Sequence, residues 1–188
     1  MPMATRNLHA PLLTVEEFLE IEFPPDTKAE LDNGVIRMMA GGTVKHAEVQ
    51  ANVMRYMGNA LRGSGCKPFG SDLGVKTSDI ALRYPDVTVL CGNRSNDGDA
   101  KAVVDPRMIV EILSPTTRAL DLGVKLSEYR AIPSMTTILF IDPMTETVRM
   151  IARTGPAAWT DQDFARGTDV PLTDFGITLP HAEIFARD

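Results

Sequence analysis

One carboxylate sets the tightest limit on how this chain can fold. Arg107-Met-Ile-Val-Glu-Ile-Leu113 is a nearly continuous apolar run, the pattern of a central strand covered on both faces, and Glu111 lies inside it. An ionised carboxylate in such a strand is costly unless a cation or a metal pairs with it. Either the strand ends there and Glu111 reaches solvent, or the fold builds a partner around it. Tyr84-Pro-Asp-Val87 favours the second reading, because it places Asp86 at the opening of another β-branched strand. The 25 residues from Asp86 to Glu111 are enough for the chain to loop back alongside. An isolated Pro-Asp also marks an ordinary turn. Two carboxylates on adjacent strands, however, supply oxygen ligands for a hard divalent cation.

The flanking sequence predicts the elements that would carry these groups. Thr14-Val-Glu-Glu17 is a capping box opening a helix over Val15–Glu22, which Pro24-Pro25 stops. Lys28–Met39 reads as a hairpin about Asn33-Gly34, with Glu30 and Asp32 on one face. Thr43 caps a helix to Leu61, with Val44, Ala47, Ala51, Met54, Gly58 and Leu61 three or four apart. Strands are expected over 70–78 and 83–91, followed by a polar, exposed loop over 92–99. After the Glu111 strand, Pro115 precedes a helix over Leu120–Ala131, stopped by Pro133. Thr136–Ile141 and Glu146–Ala152 pair about Asp142-Pro143. A strand near Ala157–Trp159 and a short helix from His181 complete one α/β domain with a mixed sheet.

Composition narrows the class. With 44% hydrophobic and 23% charged residues in 188, the chain is an ordinary globular domain. No apolar run approaches the ~20 residues that span a bilayer, and Met1–Leu13 lacks a signal-peptide core, so a cytoplasmic protein is expected. Nineteen basic against 25 acidic residues give −6, which argues against a basic coat of nucleic acid but not against an enzyme that holds a metal on carboxylates. Cys66 and Cys91 form no C-x-x-C pair and are read as reduced thiols without chemistry. No glycine-rich phosphate loop is present, so no nucleotide cofactor is expected. Ser114 lacks a nucleophile elbow, and Cys91 has no neighbouring histidine.

Lys125 follows the Glu111 strand on the returning helix. A lysine there is usually solvated, but the short connection lets its ammonium turn back over the carboxylates, where it orients a water and offsets charge on a phosphoryl oxygen. Here a resemblance emerges. Ala29-Glu-Leu-Asp-Asn-Gly34, His46 near a helix start, Ser71-Asp-Leu-Gly-Val75, Tyr84-Pro-Asp-Val-Thr-Val89, Val110-Glu-Ile-Leu-Ser-Pro-Thr116, Asp121, Lys125-Leu-Ser-Glu-Tyr129 and Phe140-Ile-Asp-Pro143 occur in that order. Together they resemble the bacterial putative restriction endonuclease family of the PD-(D/E)XK nuclease superfamily, over about residues 14 to 153.

The resemblance implies a restriction-endonuclease-like α+β fold over 1–188, with a nuclease core at about 28–153. The expected architecture is a mixed sheet flanked by helices, with an N-terminal helix and a β-hairpin. It also implies Mg²⁺- or Mn²⁺-dependent hydrolysis of DNA, by a homodimer. Asp86 and Glu111 match the motif carboxylates and become metal ligands, with the Ile112 carbonyl a third. The superfamily lysine position holds Leu113, and Lys125 matches the place from which this family supplies it. Glu30 matches an acidic residue that holds a second metal or a metal-bound water. His46 fits a phosphate contact or proton shuttle, though a histidine at a helix start is also an ordinary capping or surface residue. Tyr129 is read as packing on the sheet, with the alternative that its hydroxyl orients the lysine; Asp72 and Asp121 are read as turn and cap residues. Lys45, Lys76, Arg83 and Arg118 are basic residues near the presumed mouth, too dispersed to show a substrate's shape. A catalytically idle binding module on the same fold, for nucleic acid or protein, and a hydrolase of another phosphoester such as RNA, remain alternatives.

Overall fold

The computed structural model describes residues 12–92 and 98–187. The stretch before residue 12 and most of the 92–99 loop lie outside the described residues. Thr14 accepts the Glu17 amide on its hydroxyl at 3.2 Å while the Glu17 carboxylate accepts the Thr14 amide at 2.8 Å. This capping box starts α1 (Val15–Leu19), shorter than expected. Its Val15 and Phe18 pack on β1 (Ala29–Asp32) through Ala29 and Leu31. β1 and β2 (Val35–Met38) form the predicted hairpin. Asn33 (φ 49°) and Gly34 (φ 77°) are both left-handed, as a two-residue turn matched to strand twist requires.

Thr43 caps α2 (Val44–Ala60) by accepting the His46 amide at 3.3 Å. The helix is rotated from the expected face. Val49, Val53 and Met57 are buried together with the expected Leu61, and the expected Met54 packs half-buried on the same core, whereas Val44 is 76% exposed and Ala47, Ala51 and Gly58 face solvent. The buried row repeats every four residues with branched or long side chains. It removes more apolar area from water than a row of Ala and Gly could.

The expected single sheet is in fact two large sheets and a small one. Both predicted strands over 70–91 break, and each break moves the chain between sheets. β3 (Cys66–Gly70) turns at Ser71-Asp72 into β4 (Gly74–Ser78), and β5 (Ala81–Arg83) is separated from β6 (Val87–Cys91) by Tyr84-Pro85-Asp86. Proline has no N–H to continue a ladder, so the chain leaves one sheet there and enters the next. β7 (Ala102–Val103) and β8 (Met108–Ile112) follow. A helical segment comes next, made of α3 (Arg118–Leu120), a π-helical turn (Asp121–Lys125) and α4 (Leu126–Ala131). Then come β9 (Thr137–Asp142), β10 (Thr147–Arg153), β11 (Trp159–Phe164), β12 (Val170–Leu172), β13 (Ile177–Leu179) and α5 (His181–Ile184).

The five-stranded sheet has the order β2-β1-β5-β4-β7 and the six-stranded sheet β11-β10-β9-β8-β6-β3, while β12 and β13 pair alone. β8 is antiparallel to β6 and parallel to β9, and all five of its residues are buried. One face of this sheet receives α2 through Val110 and Ile112. The other receives the helical segment through Ile109, Leu113 and Phe140. Among the described residues no helix is long and apolar enough to cross a membrane.

Cys66 and Cys91 are bonded as a disulfide, which corrects their reading as reduced thiols. The β3–β6 register makes them direct cross-strand partners, a juxtaposition their spacing of 25 residues does not reveal. The rotated helix gives a test. Met57→Ala should lower the unfolding free energy by about 2–5 kcal/mol, and Val44→Ala should change it by less than about 0.5 kcal/mol. Urea titrations showing equal losses would return α2 to the expected face.

Candidate active site

The site lies on the seam between the two large sheets, where β1 and β5 of one meet β6 and β8 of the other. Val87 pairs with Val110, so the antiparallel register sets Asp86 opposite Glu111. The ladder stops there, and the Asp86 carboxylate takes the next rung by accepting the Ile112 amide at 2.7 Å. Gln50 on α2 donates to the Asp86 carbonyl at 2.9 Å, and His46 Nε2 lies 3.2 Å from the Asp86 carboxylate. Capping by Thr43 thus has a second result, since it fixes the first turn of α2 over Asp86.

Glu111 is buried, as its apolar strand predicts, and its partners come from the helical segment. Tyr129 donates its hydroxyl to Glu111 Oε1 at 2.6 Å, and Lys125 Nζ lies 3.3 Å from the same oxygen. Lys125 Nζ also lies 3.1 Å from Glu30 Oε1 and 3.4 Å from Asp121 Oδ1. Its ammonium is therefore enclosed by one carboxylate from each sheet and one from its own helix. The π-helical turn brings Asp121 and Lys125 into the interior together, a distortion of the kind found at functional positions. Glu30 has both oxygens engaged: Oε1 also accepts the Tyr84 amide at 3.0 Å, and Oε2 lies 3.4 Å from Arg83 Nη1.

Electrostatics follow from this packing. Burial pushes the Glu111 carboxyl up to about 8; Lys125 opposes the rise, and the charges of Asp86 and Asp121 add to it. Burial pulls the Lys125 ammonium down, but Glu111, Glu30 and Asp121 outweigh it and hold the ammonium above its ordinary range. Asp121 is raised, by burial first. His46 is raised, chiefly by its hydrogen bond to Asp86. Burial carries the Tyr129 hydroxyl well above the usual tyrosine range, so it stays a donor.

The structure thus brings Glu30, Glu111 and Lys125 into contact, with Asp86, Ile112 and His46 beside them. Three residues need correction. Asp121 is not an exposed cap but a 2%-exposed partner of Lys125. Arg83 is not at a mouth: it is wholly buried between Glu30, Asp32 and Glu128. Lys76 also points elsewhere, pairing with Glu16 and Asp79. Arg118 remains half-exposed against Asp142, and Lys45 is partly buried at the start of α2. Tyr129 takes up the hydroxyl role that the sequence left as the alternative, toward Glu111 rather than the lysine. Arg83 had a signal in the sequence. Ala81-Leu82-Arg83 puts a cation in an apolar strand, the same anomaly as Glu111 with opposite charge.

A divalent metal suits this donor set. Asp86, Glu111 and the Ile112 backbone offer only oxygen, the donor type of Mg²⁺. Glu30, Asp32, Asp86, Glu111, Asp121 and Glu128 carry more negative charge than Arg37, Arg83, Lys125 and His46 balance. Among the described residues no three His, Cys, Asp or Glu side chains converge closely enough to hold a metal by themselves. Mg²⁺ keeps several of its waters and is usually bound through substrate phosphate together with only one or two protein carboxylates, which Asp86 and Glu111 would supply.

Comparison with known proteins agrees with this architecture. The Uma2 family model, described as "Putative restriction endonuclease", matches residues 15–180, and the chain belongs to that family. Two uncharacterized proteins of Synechocystis sp. (strain ATCC 27184 / PCC 6803 / Kazusa) are similar. One is 26% identical over 170 residues, covering 90% of this chain and 89% of the relative. The other is 28% identical over 150 residues, covering 79% and 85%. A crystal structure of a putative nuclease belonging to DUF820 from Anabaena variabilis ATCC 29413 shares the fold, with a TM-score of 0.76, 19% identity, and coverage of 93% of this chain and 98% of that one.

The raised Glu111 carboxyl makes stability depend on pH. The folded protein binds this proton more tightly than the unfolded chain. Its contribution is therefore full below the unfolded value near 4.5 and is lost as pH rises through about 8. His46, also raised, acts in the same direction above its ordinary 6.5. The metal-free protein should show a thermal midpoint that falls between pH 5 and 9, with a smaller fall in Glu111→Gln. An equally steep fall in that variant would show that Glu111 ionises freely.

Proposed function

We propose that the chain is a metal-dependent endonuclease that hydrolyses phosphodiester bonds of DNA, with Mg²⁺ or Mn²⁺ held by Asp86, Glu111 and the Ile112 carbonyl. The observation that carries this reading is the placement of Lys125 at 3.3 Å from Glu111, on the strand whose partner presents Asp86. A cation delivered from the helix beside two carboxylates is a device for a phosphoryl centre, where negative charge develops on oxygen. The bound metal would add charge neutralisation and a more acidic water. The family's description supports DNA as the substrate.

Each side chain then has a task. Lys125 orients the attacking water and offsets charge on the phosphoryl oxygens. Glu30, with both oxygens already engaged, holds Lys125, and this replaces the expected second-metal role. Tyr129 fixes the Glu111 carboxylate by hydrogen bonding its inner oxygen. His46, kept protonated to higher pH by Asp86, presents positive charge to a phosphate at the seam. A duplex offers two antiparallel strands, so a two-fold dimer with one site per strand is the assembly we propose.

The test is cleavage of supercoiled plasmid with Mg²⁺ or Mn²⁺, repeated with chelator. Lys125→Ala should lose about 10²- to 10³-fold in cleavage rate and about 3–5 kcal/mol of stability, while the folded fraction keeps its affinity for Mn²⁺. Asp86→Ala and Glu111→Ala should lose Mn²⁺ binding and cleavage together. Wild-type cleavage of RNA alone would move the substrate assignment, and full cleavage by Lys125→Ala would remove the lysine from the chemistry. Sedimentation at twice the 20.5 kDa chain mass is expected for the dimer.

A further inference from the structure

Arg83 touches neither the carboxylates proposed for the metal nor any group at the open side of the seam, yet its guanidinium is wholly enclosed. Its Nε and Nη2 form a fork on Glu128, at 2.8 Å to Oε2 and 2.7 Å to Oε1. Nη2 also donates to Asp32 at 2.7 Å, and Nη1 faces Glu30 Oε2 at 3.4 Å. Thr77 adds a hydroxyl to Glu128 Oε2 at 3.1 Å. These partners lie on different bodies. Glu30 and Asp32 belong to β1, Arg83 itself to β5, and Glu128 to α4, which packs against β4 of this sheet and against the other sheet through Leu126 and Tyr129.

Two routes lead from this guanidinium to Lys125. Through Glu128 it grips the helical segment three residues beyond Lys125. Through Glu30 it holds the carboxylate whose other oxygen lies 3.1 Å from the Lys125 ammonium. The π-helical turn replaces i to i−4 bonds by i to i−5 bonds and turns Asp121 and Lys125 into the interior, and both routes tie that segment to the strands beneath it. We infer that Arg83 is the positioning residue for Lys125, clamping the helical segment to β1 so that the ammonium stays over Glu111. This role rests on the nuclease reading for its consequence in catalysis but not for its geometry.

A lysine at position 83 keeps the buried positive charge and so preserves the fold. It cannot make the planar fork on Glu128 while also reaching Asp32 and Glu30. If charge alone mattered, Arg83→Lys would behave as wild type. If the fork aims Lys125, Arg83→Lys should lower kcat by about 10²-fold, the size of effect expected when a catalytic group is displaced by about 1 Å, with KM within twofold. The same change placed on Lys125→Ala should cause no further loss, since a residue acting through Lys125 has nothing left to position. Multiplied losses in the double variant would make Arg83 a general structural residue and overturn the role.

A second readout does not depend on turnover. The enclosed Lys125 ammonium should give a slowly exchanging Nζ–H signal in ¹⁵N-lysine spectra of the metal-free protein, assigned by its absence from Lys125→Ala. Arg83→Lys, and Glu128→Gln as a variant that keeps Arg83, should lose that signal or speed its exchange at least tenfold while the backbone amide spectrum elsewhere is retained. A wild-type-like signal in both variants would overturn the role whatever the activity. Absence of cleavage by the wild type, with the signal present and lost as stated, would sink the nuclease reading and leave the positioning geometry standing.

Discussion

The enclosed ammonium of Lys125 is the interaction on which the two sheets depend. Three carboxylates surround it: Glu30 from the five-stranded sheet, Glu111 from the six-stranded sheet and Asp121 from its own helix. Each of these groups is nearly free of solvent, so none could be there alone. Removing one partner of such a cluster leaves uncompensated buried charge, at a typical cost of about 3–5 kcal/mol. The cluster therefore does more than carry chemistry. It also ties the five-stranded sheet, the six-stranded sheet and the helical segment to one buried charge.

Around that cluster the site is built with charge left over. Arg83 and Lys125 are both held by carboxylates, Glu111 among them, and Asp86 adds another beside it on the Ile112 amide and His46. Interior negative charge in excess of its cations is unfavourable in the free protein, and it is relieved when a dication enters. Burial lifts the Glu111 carboxyl to about 8 against the pull of Lys125, and the charges of Asp86 and Asp121 add to the rise. A site that is strained electrostatically without its ligand binds that ligand more tightly, which connects the stability of the metal-free protein to the function proposed for it.

Rigidity is supplied at both ends of β6. At one end Asp86 is locked to the Ile112 amide, to Gln50 and to His46; at the other Cys91 is bonded to Cys66. The strand between them is buried from Val87 to Leu90 and paired on both sides. A carboxylate at the end of such a strand, where Asp86 is proposed to hold a metal, has little freedom to drift. That is the requirement of a site which must hold a phosphate within a fraction of an ångström of its cations.

The sequence by itself determined the parts whose cause is local or periodic. The Thr14 capping box, the Asn33-Gly34 hairpin and the apolar strand around Glu111 follow from near neighbours, and the anomaly of a carboxylate in that strand pointed to a buried pairing. The order of short motifs, each weak alone, pointed to the family to which the chain belongs. Only the tertiary structure decided the rest. The strand expected over 83–91 runs through Pro85, and that the chain instead leaves one sheet there for a second depends on strands far away in sequence. The face of α2 was chosen by the sheet that receives it, where Val49, Val53 and Met57 bury more area than the Ala and Gly row. The Cys66–Cys91 bond exists because β3 and β6 share a register. Asp121 reads as a cap in one dimension, and the apolar setting of Arg83 hints at burial without naming its partners, since these lie on β1 and α4 and come together only in the fold.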